Sequence, residues 1–157
     1  MTVICLGVVF GLLFSKPITS LPRSIKALGL YGAAVIILVT YQLHPFAWSD
    51  NAAAFNWYPF QAHYQWTTAV VLSNTIEYLW LYAAFASIHF YWNNGSTIAM
   101  RLGAFAAVMI AFALEWAQTW VAGRYPDMTG PILALIGYLL GWLLVSQVQQ
   151  PQPKGAD

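Results

Sequence analysis

Two pairs of polar residues lie close together in the C-terminal half of the sequence. Glu115 and Gln118 are spaced to share one face of a helix. Arg124 and Asp127 follow in a short segment of turn-forming residues. Arg124 can pair with the aspartate or present its planar guanidinium to a phosphate or carboxylate, and a snorkelling arginine at a helix end is the simpler alternative. Glu115 and Asp127 are also candidates for general acid–base catalysis.

A further polar pair, Asn74 and Glu77, shares one face of another apolar segment. Ionisable groups in a bilayer core are costly and normally face the protein interior with a partner. We therefore expect Glu77 to be protonated or to hydrogen-bond Asn74 or a neighbouring helix. Two interpretations stay open for these residues and the Glu115 pair: they are interhelical hydrogen-bonding groups, or they line a polar pocket that opens outward.

The composition of the chain explains why such residues stand out. Of the 157 residues, 60% are hydrophobic and only 7% are charged, whereas a soluble domain has about 25% charged residues. The net charge of +1 provides no basic surface for nucleic acid. The sequence therefore predicts an all-α integral membrane protein.

Apolar runs predict about five transmembrane spans, at residues 1–15, 27–43, 66–92, 100–122 and 131–148. The first is short for a span of about 20 residues; a retained span is favoured over a signal peptide, and a half-inserted helix is the alternative. We predict a single domain over residues 1–148, with a polar cytoplasmic tail at 149–157. Most lysines and arginines fall on one side, which predicts an outer N-terminus and an inner C-terminus.

This topology brings two connecting segments to the outer face. Residues 44–65 are rich in aromatic side chains and would lie among lipid headgroups or fold back over the helices; residues 123–130 form a tight turn. We expect one outward-facing cavity where the polar residues converge, with ligand-binding candidates Glu115, Gln118, Arg124, Asp127, Asn56, Asn74 and Glu77.

Small residues mark a packing face in the last span. Ala134, Gly137 and Gly141 follow a small-xxx-small pattern, which predicts close packing of spans four and five. The histidines do not form a facing pair for haem, because His44 and His63 lie in the outer loop and His89 lies near the inner side. We expect neither a metal nor another cofactor, and interfacial positions for the histidines.

The spacing of these residues resembles the signature of the VanZ-like family. The match consists of Glu115-Trp-Ala-Gln118, then Arg124-Tyr-Pro-Asp127, then Gly137 and Gly141. Upstream, Asn56-Trp-Tyr-Pro59-Phe60 is similar to an Asn-x-x-Pro-Phe element that the family places before its next span, and Asn74 and Tyr78 are similar to residues that open it. The resemblance covers residues 56–142. This chain has Thr129-Gly130 and Ala134 where the family usually has an Asp and an Asn.

The family is named for a protein linked to teicoplanin resistance. The resemblance implies a multi-pass protein of the bacterial cytoplasmic (inner) membrane that takes part in a cell-envelope process. It also implies structural roles for Pro59 and Phe60 in the outer loop.

Three functions are compatible with these observations. In the first, the pocket binds an envelope amphiphile that is lipid-linked or anionic: Arg124 contacts the head, Asp127 orients it, and Glu115 and Gln118 complete the pocket. In the second, the same site is enzymatic, with Glu115 or Asp127 as acid or base. In the third, the protein is a structural or assembly partner of another membrane protein. The expected partners are membrane lipids, a lipid-linked envelope precursor or a membrane protein, and not nucleic acid.

Overall fold

The computed structural model of this protein describes residues 21–61 and 67–148. The first predicted span, His63 and the tail at 149–157 lie outside these residues. The described residues form four α-helices and no sheet: α1 (Arg23–Leu43), α2 (Thr68–Trp92), α3 (Thr97–Gln118) and α4 (Thr129–Val148). Each helix is long and apolar enough to cross a membrane. The predicted all-helical, membrane-type fold is confirmed to this extent, while the count of five spans and the orientation stay predictions.

The helix ends follow the punctuation of the sequence. Pro22 immediately precedes α1, where its missing N–H costs no hydrogen bond. The turn between α2 and α3 uses Asn94 and Gly95, both with left-handed backbone (φ 51° and 71°), a conformation that these two residue types adopt most readily. The fourth predicted span was too long, because α3 ends at Gln118 and not at residue 122. The chain from Thr119 onward leaves the helix to pair with the loop after α1.

The glycines of α4 allow two helices to approach closely. A Cβ at Gly137 would lie 2.6 Å from the carbonyl oxygen of Leu79, and one at Gly141 would lie 2.6 Å from Cα of Ala83. Both neighbours belong to α2. The predicted contact between spans four and five is present, but the two glycines themselves pack on span three, because glycine spacing indicates a close approach without indicating which helix makes it. Ala134, on the same face, is fully buried.

The interior and the exterior of the bundle differ in side-chain size. Small residues such as Ala86, Ala107 and Ala111 are buried together with a few large ones, Tyr82 and Tyr138 among them. The outward faces carry exposed aliphatic residues such as Leu72 and Leu144. This distribution is typical of helices that pack through small residues and present large apolar side chains to lipid.

Two loops are joined at one end of the bundle: residues 44–61, after α1, and residues 119–128, between α3 and α4. Their backbones are linked by five hydrogen bonds of 2.7–3.2 Å, in which the donors are Ser49, Ala53, Asn56, Ala122 and Met128. As the topology predicted, the two loops share one end. These bonds satisfy part of the backbone polar groups of both loops, which favours such a segment near an apolar medium.

The aromatic loop also folds back onto α3. The Phe55 ring packs against Phe112 and Trp116, with centroid distances of 5.7 and 5.5 Å. Trp57 and Tyr58 remain exposed on its outer side. Of the two placements that the sequence left open, folding back over the helices therefore applies to Phe55, while the exposed rings are suited to a headgroup layer.

Candidate functional site

A cavity of about 410 Å³ lies beneath the two joined loops, between the ends of the four helices. Its volume is within the range of about 300–1,000 Å³ typical of small-molecule sites. Five of the residues predicted to form the pocket line it: Asn74, Glu115, Gln118, Arg124 and Asp127. The structure therefore brings both polar pairs of the C-terminal half together with one residue of α2.

Two predicted pocket residues do not line this cavity. Glu77 is half-buried and accepts a 3.4 Å hydrogen bond from the Ser73 hydroxyl on its own helix. The face of α2 that lines the cavity continues from Asn74 to Tyr78, one turn further on, and not to Glu77. Asn56 lines a neighbouring cavity of about 190 Å³, whose wall also includes Arg124 and Asp127.

Three helices meet in a hydrogen-bonded network at the inner wall of the cavity. The Tyr78 hydroxyl of α2 lies 2.5 Å from Oε1 of Gln42, in the last turn of α1, and 2.9 Å from Oε1 of Glu115 in α3. Gln118 donates from Nε2 to the same Gln42 oxygen at 2.7 Å. Gln42, Glu115 and Gln118 are all at most 5% exposed, so this network holds polar groups that are almost fully buried.

The Tyr78 hydroxyl has one hydrogen but two acceptor oxygens beside it. It can donate to only one of them at a time. The Gln42 and Glu115 oxygens therefore compete for the single hydrogen of the Tyr78 hydroxyl.

Glu115 also connects the network to Asp127 and the start of α4. The Asp127 backbone N–H donates to Oε2 of Glu115 at 3.3 Å, and Oδ1 of Asp127 accepts from the Thr129 N–H at 2.8 Å. The Thr129 hydroxyl in turn accepts from the N–H of Phe60, next to Pro59, at 2.7 Å. Asp127 thus satisfies one of the free N–H groups at the start of α4, and Phe60 attaches the aromatic loop to the same point.

Gly130 allows Glu115 to occupy this position. A Cβ on Gly130 would collide with Oε1 of the carboxyl group. The residue pair Thr129-Gly130, where the VanZ-like pattern usually has an aspartate, therefore provides a hydroxyl for the loop and space for Glu115.

Two deeply buried polar atoms at the cavity have no hydrogen-bonding partner among the described residues. They are Nε2 of Gln42 and Oδ2 of Asp127. Both residues line the cavity, and their side chains are 1% and 5% exposed. Since buried polar groups in native proteins are almost always paired, these atoms mark positions where a bound molecule or ordered water would complete the site.

Arg124 contacts the end of α1 and not a carboxylate. Its Nε donates to the His44 carbonyl at 2.9 Å, and its Nη2 donates to the carbonyls of Tyr41 at 2.9 Å and His44 at 2.5 Å. Carbonyls at a helix C-terminus are unsatisfied and carry partial negative charge. Arg124 therefore caps α1, a role that the sequence analysis did not foresee, while its side chain also forms part of the cavity wall.

The histidines occupy separate places. His44 takes part through its carbonyl, and the His89 ring lies at the opposite end of the bundle, where Nδ1 is 2.8 Å from the Tyr138 hydroxyl. Among residues 21–61 and 67–148, no group of three or more His, Cys, Asp or Glu side chains is placed to hold a metal ion.

Gln42 is the functional candidate that sequence reasoning missed, and Tyr78 entered only through the family resemblance. Gln42 is a polar residue near the end of a predicted span, and the rule that such residues need partners would have selected it. Tyr78 has no comparable signal, because an aromatic residue near a membrane interface is common.

Comparisons with family models, curated proteins and solved structures find no match to this chain. The resemblance to the VanZ-like family therefore stays a prediction, and so does the ligand-binding role of the site residues.

Proposed function

We propose that this protein binds the polar head of a membrane amphiphile in the cavity beneath its joined loops. The observation that carries the proposal is the pair of buried, unpartnered polar atoms, Nε2 of Gln42 and Oδ2 of Asp127, in the wall of one cavity. Buried polar groups in native proteins are almost always paired, and these two belong to residues that line the same cavity.

The apolar part of the cavity wall supports an amphiphile over a purely polar solute. Val70 and Val71 of α2 and Leu133 of α4 line the cavity together with the polar residues, and Val70 is also 40% exposed on the outer surface of its helix. An acyl or polyprenyl chain could therefore follow this apolar wall into the lipid while its head occupies the polar end.

The proposed setting is the bacterial cytoplasmic membrane, with the cavity on its outer face and the protein in a multi-pass arrangement. It is supported by the position of Arg23, Lys26 and Arg101 near the end opposite to Arg124. The resemblance to the VanZ-like family favours an envelope amphiphile, such as a lipid-linked precursor, and a part in the cell-envelope response to glycopeptides.

Filling the cavity tests the proposal. Val71→Trp places a large ring in the cavity wall, whereas Leu72→Trp places the same ring on an adjacent residue that is 58% exposed. We expect native mass spectrometry to detect a lipid adduct on the wild-type protein and on Leu72→Trp but not on Val71→Trp. An adduct that is equally abundant on both variants, or absent from the wild type, contradicts the proposal.

The orientation has its own test. The sequence contains one cysteine, Cys5, so single cysteines can be introduced into a Cys5→Ser background at Asp50 and Asn94, which lie at opposite ends of the bundle. We expect a membrane-impermeant thiol reagent to label position 50 in intact cells and position 94 only after lysis. The reverse pattern would invert the proposed topology.

A structural role is the second candidate, and the network of Gln42, Tyr78 and Glu115 favours it. These side chains connect α1, α2 and α3, and buried hydrogen bonds of this kind stabilise helix packing. The cavity-filling experiment distinguishes the two functions, since a purely structural protein would bind no lipid in a cavity-dependent way.

A further inference from the structure

We infer that the cavity selects for hydroxyl groups, so that the amphiphile it binds carries a sugar or polyol head. The inference rests on the proposed function, because it specifies the chemistry of the ligand in the same cavity. It is drawn from the donor and acceptor character of the two unpartnered atoms and from the charges around them.

Gln42 contributes a hydrogen-bond donor. Its Oε1 accepts from Nε2 of Gln118 at 2.7 Å and lies 2.5 Å from the Tyr78 hydroxyl, so the oxygen is already used within the protein. The two hydrogens on Nε2 have no acceptor in the part of the chain that the structure describes. The free position on this amide therefore requires an acceptor from the ligand.

Asp127 contributes a hydrogen-bond acceptor. Its Oδ1 is held by the Thr129 N–H at 2.8 Å, which fixes the orientation of the carboxyl group. Its Oδ2 is buried without a donor in the described residues. The free position here requires a donor from the ligand.

A hydroxyl group meets both requirements, since it donates one hydrogen and accepts through two lone pairs. A phosphate at neutral pH is largely an acceptor and would leave Oδ2 of Asp127 unpaired. An ammonium group is only a donor and would leave Nε2 of Gln42 unpaired. Neighbouring hydroxyls on a sugar or polyol supply both a donor and an acceptor.

The charges of the cavity also disfavour a phosphate. Two carboxyl groups, Glu115 and Asp127, line it together with one guanidinium, that of Arg124. Two of the three guanidinium nitrogens already donate to carbonyls at the end of α1, so the bidentate arrangement that recognises phosphate is partly occupied. The anionic ligand expected from the sequence is therefore less well matched than a neutral, hydroxylated one.

Defined lipids with identical acyl chains test the inference. The purified protein is kept in a polyoxyethylene detergent, which has no sugar, and is titrated with glucosyl-diacylglycerol or phosphatidic acid while lipid adducts are measured by native mass spectrometry. We expect glucosyl-diacylglycerol to bind about tenfold more tightly, the difference that one hydrogen bond of ordinary strength produces. Methyl glucoside, added as a soluble competitor, distinguishes a free sugar from a lipid headgroup.

Asp127→Asn sharpens the test because it should weaken the binding of glucosyl-diacylglycerol without weakening the binding of phosphatidic acid. The amide keeps an oxygen for Thr129 but replaces Oδ2 with a donor, so binding of glucosyl-diacylglycerol should fall about tenfold. Loss of the negative charge should leave phosphatidic acid binding unchanged or stronger. Asp50→Asn makes the same chemical change at an exposed loop residue and should alter neither. If Asp127→Asn does not fold, Gln42→Glu, which removes the Nε2 donor, should weaken glucosyl-diacylglycerol binding similarly.

The outcomes separate the inference from the function on which it rests. Phosphatidic acid binding as tightly as glucosyl-diacylglycerol, with Asp127→Asn changing both alike, would overturn hydroxyl selection and leave amphiphile binding intact. No cavity-dependent binding of either lipid would overturn both, with ordered water then completing the two buried atoms. Methyl glucoside competing as well as the glycolipid would support hydroxyl selection but contradict a lipid ligand.

Discussion

Each end of the bundle buries polar side chains next to a glycine, but the two ends differ in what surrounds them. At the closed end, defined by His89, Met100, Gly103 and Tyr138, the His89 ring and Tyr138 hydroxyl bond each other at 2.8 Å, and a Cβ on Gly103 would collide with both. At the cavity end, a Cβ on Gly130 would collide with Glu115, but open space lies beside that carboxyl group.

The difference shows that buried polar residues in a helical membrane-type bundle are not by themselves a sign of a ligand site. At the closed end, the histidine and tyrosine satisfy one another. The Tyr31 ring packs against Phe85 and His89, with centroid distances of 5.9 and 6.1 Å. At the cavity end, Gln42 and Asp127 retain free atoms. A site is indicated by polar groups that combine burial, adjoining space and incomplete pairing.

The largest contrast is expected from adding one methyl group at each end. Gly103 lies inside α3 and Gly130 in the first turn of α4, so any gain in helix propensity from alanine is larger at Gly103. Gly103→Ala should lower the free energy of unfolding by about 2 kcal/mol, because the added methyl group would collide with the buried Tyr138 hydroxyl and the half-buried His89 ring at once, and overpacking costs about 1–3 kcal/mol. Gly130→Ala should cost less, about 1 kcal/mol, because the Glu115 carboxyl can move into the cavity and loses only its hydrogen bonds to Tyr78 and Asp127.

Thermal unfolding of the two purified proteins, followed by tryptophan fluorescence, measures this contrast. Gly32→Ala, where a Cβ would have nothing within 4 Å, is the matched control and should be neutral or slightly stabilising. Equal losses from Gly103→Ala and Gly130→Ala would show that the cavity end is as tightly packed as the closed end.

Removing the arginine cap should affect only the cavity end. Arg124→Ala breaks the hydrogen bonds to the carbonyls of Tyr41 and His44 and should lower the free energy of unfolding by about 1.5 kcal/mol, since bonds from a charged donor contribute about 1.5–3 kcal/mol. Arg101→Ala removes an exposed arginine near the closed end and should change the free energy of unfolding by less than about 0.5 kcal/mol. Amide hydrogen exchange should rise in the last turn of α1 in the first variant only; unchanged exchange there would contradict the capping role.

Removing one tyrosine hydroxyl from each end should affect stability similarly and binding differently. Tyr78→Phe and Tyr138→Phe each lose a buried side-chain hydrogen bond, so each should lower the free energy of unfolding by about 0.6–1.7 kcal/mol. Only Tyr78→Phe should reduce the lipid adduct seen by native mass spectrometry, because its hydroxyl orients Gln42. Loss of the adduct in both variants would indicate a general effect on folding.

The smallest expected effect is an increase in stability, from removing the hydroxyl group of Tyr82. The Tyr82 hydroxyl is buried without a hydrogen-bonding partner in the described residues, midway between the two ends and not among the residues that line the cavity. Tyr82→Phe removes an unsatisfied group and should raise the free energy of unfolding by about 0.5 kcal/mol, with lipid binding unchanged. A decrease in stability would show that this hydroxyl has a partner, such as ordered water.

Most of the described fold could be predicted from the sequence because lipid-facing helices need long apolar runs. The predicted bounds of spans two, three and five differ from α1, α2 and α4 by a few residues. The predicted end of span four was wrong because residues 119–122 are apolar but pair with the other loop. Composition shows that a segment is apolar. It does not show whether the backbone groups of that segment hydrogen-bond within a helix or to another loop.

The site could be predicted in part, for a related reason. Glu115, Gln118, Arg124 and Asp127 are near in sequence, and helical or turn spacing is enough to bring them together. Gln42 and Tyr78 join them from two other helices, and their convergence depends on how those helices are rotated. The sequence does not encode that rotation in any short pattern, which is also why the α2 partner of Gly137 and Gly141 was not identified.

The contact between α2 and α4 has a consequence for how the protein is made. A ribosome completes α2 well before α4. Gly137 and Gly141 of α4 therefore cannot contact the backbone at Leu79 and Ala83 until after α3 has been synthesised. The cavity is equally late, since Gly130 and Leu133 of α4 supply part of its wall. Glu115 thus enters its final surroundings only after α4 has emerged. In a nascent chain that pauses before that point, the polar residues of the site lack the part of the cavity wall that α4 supplies.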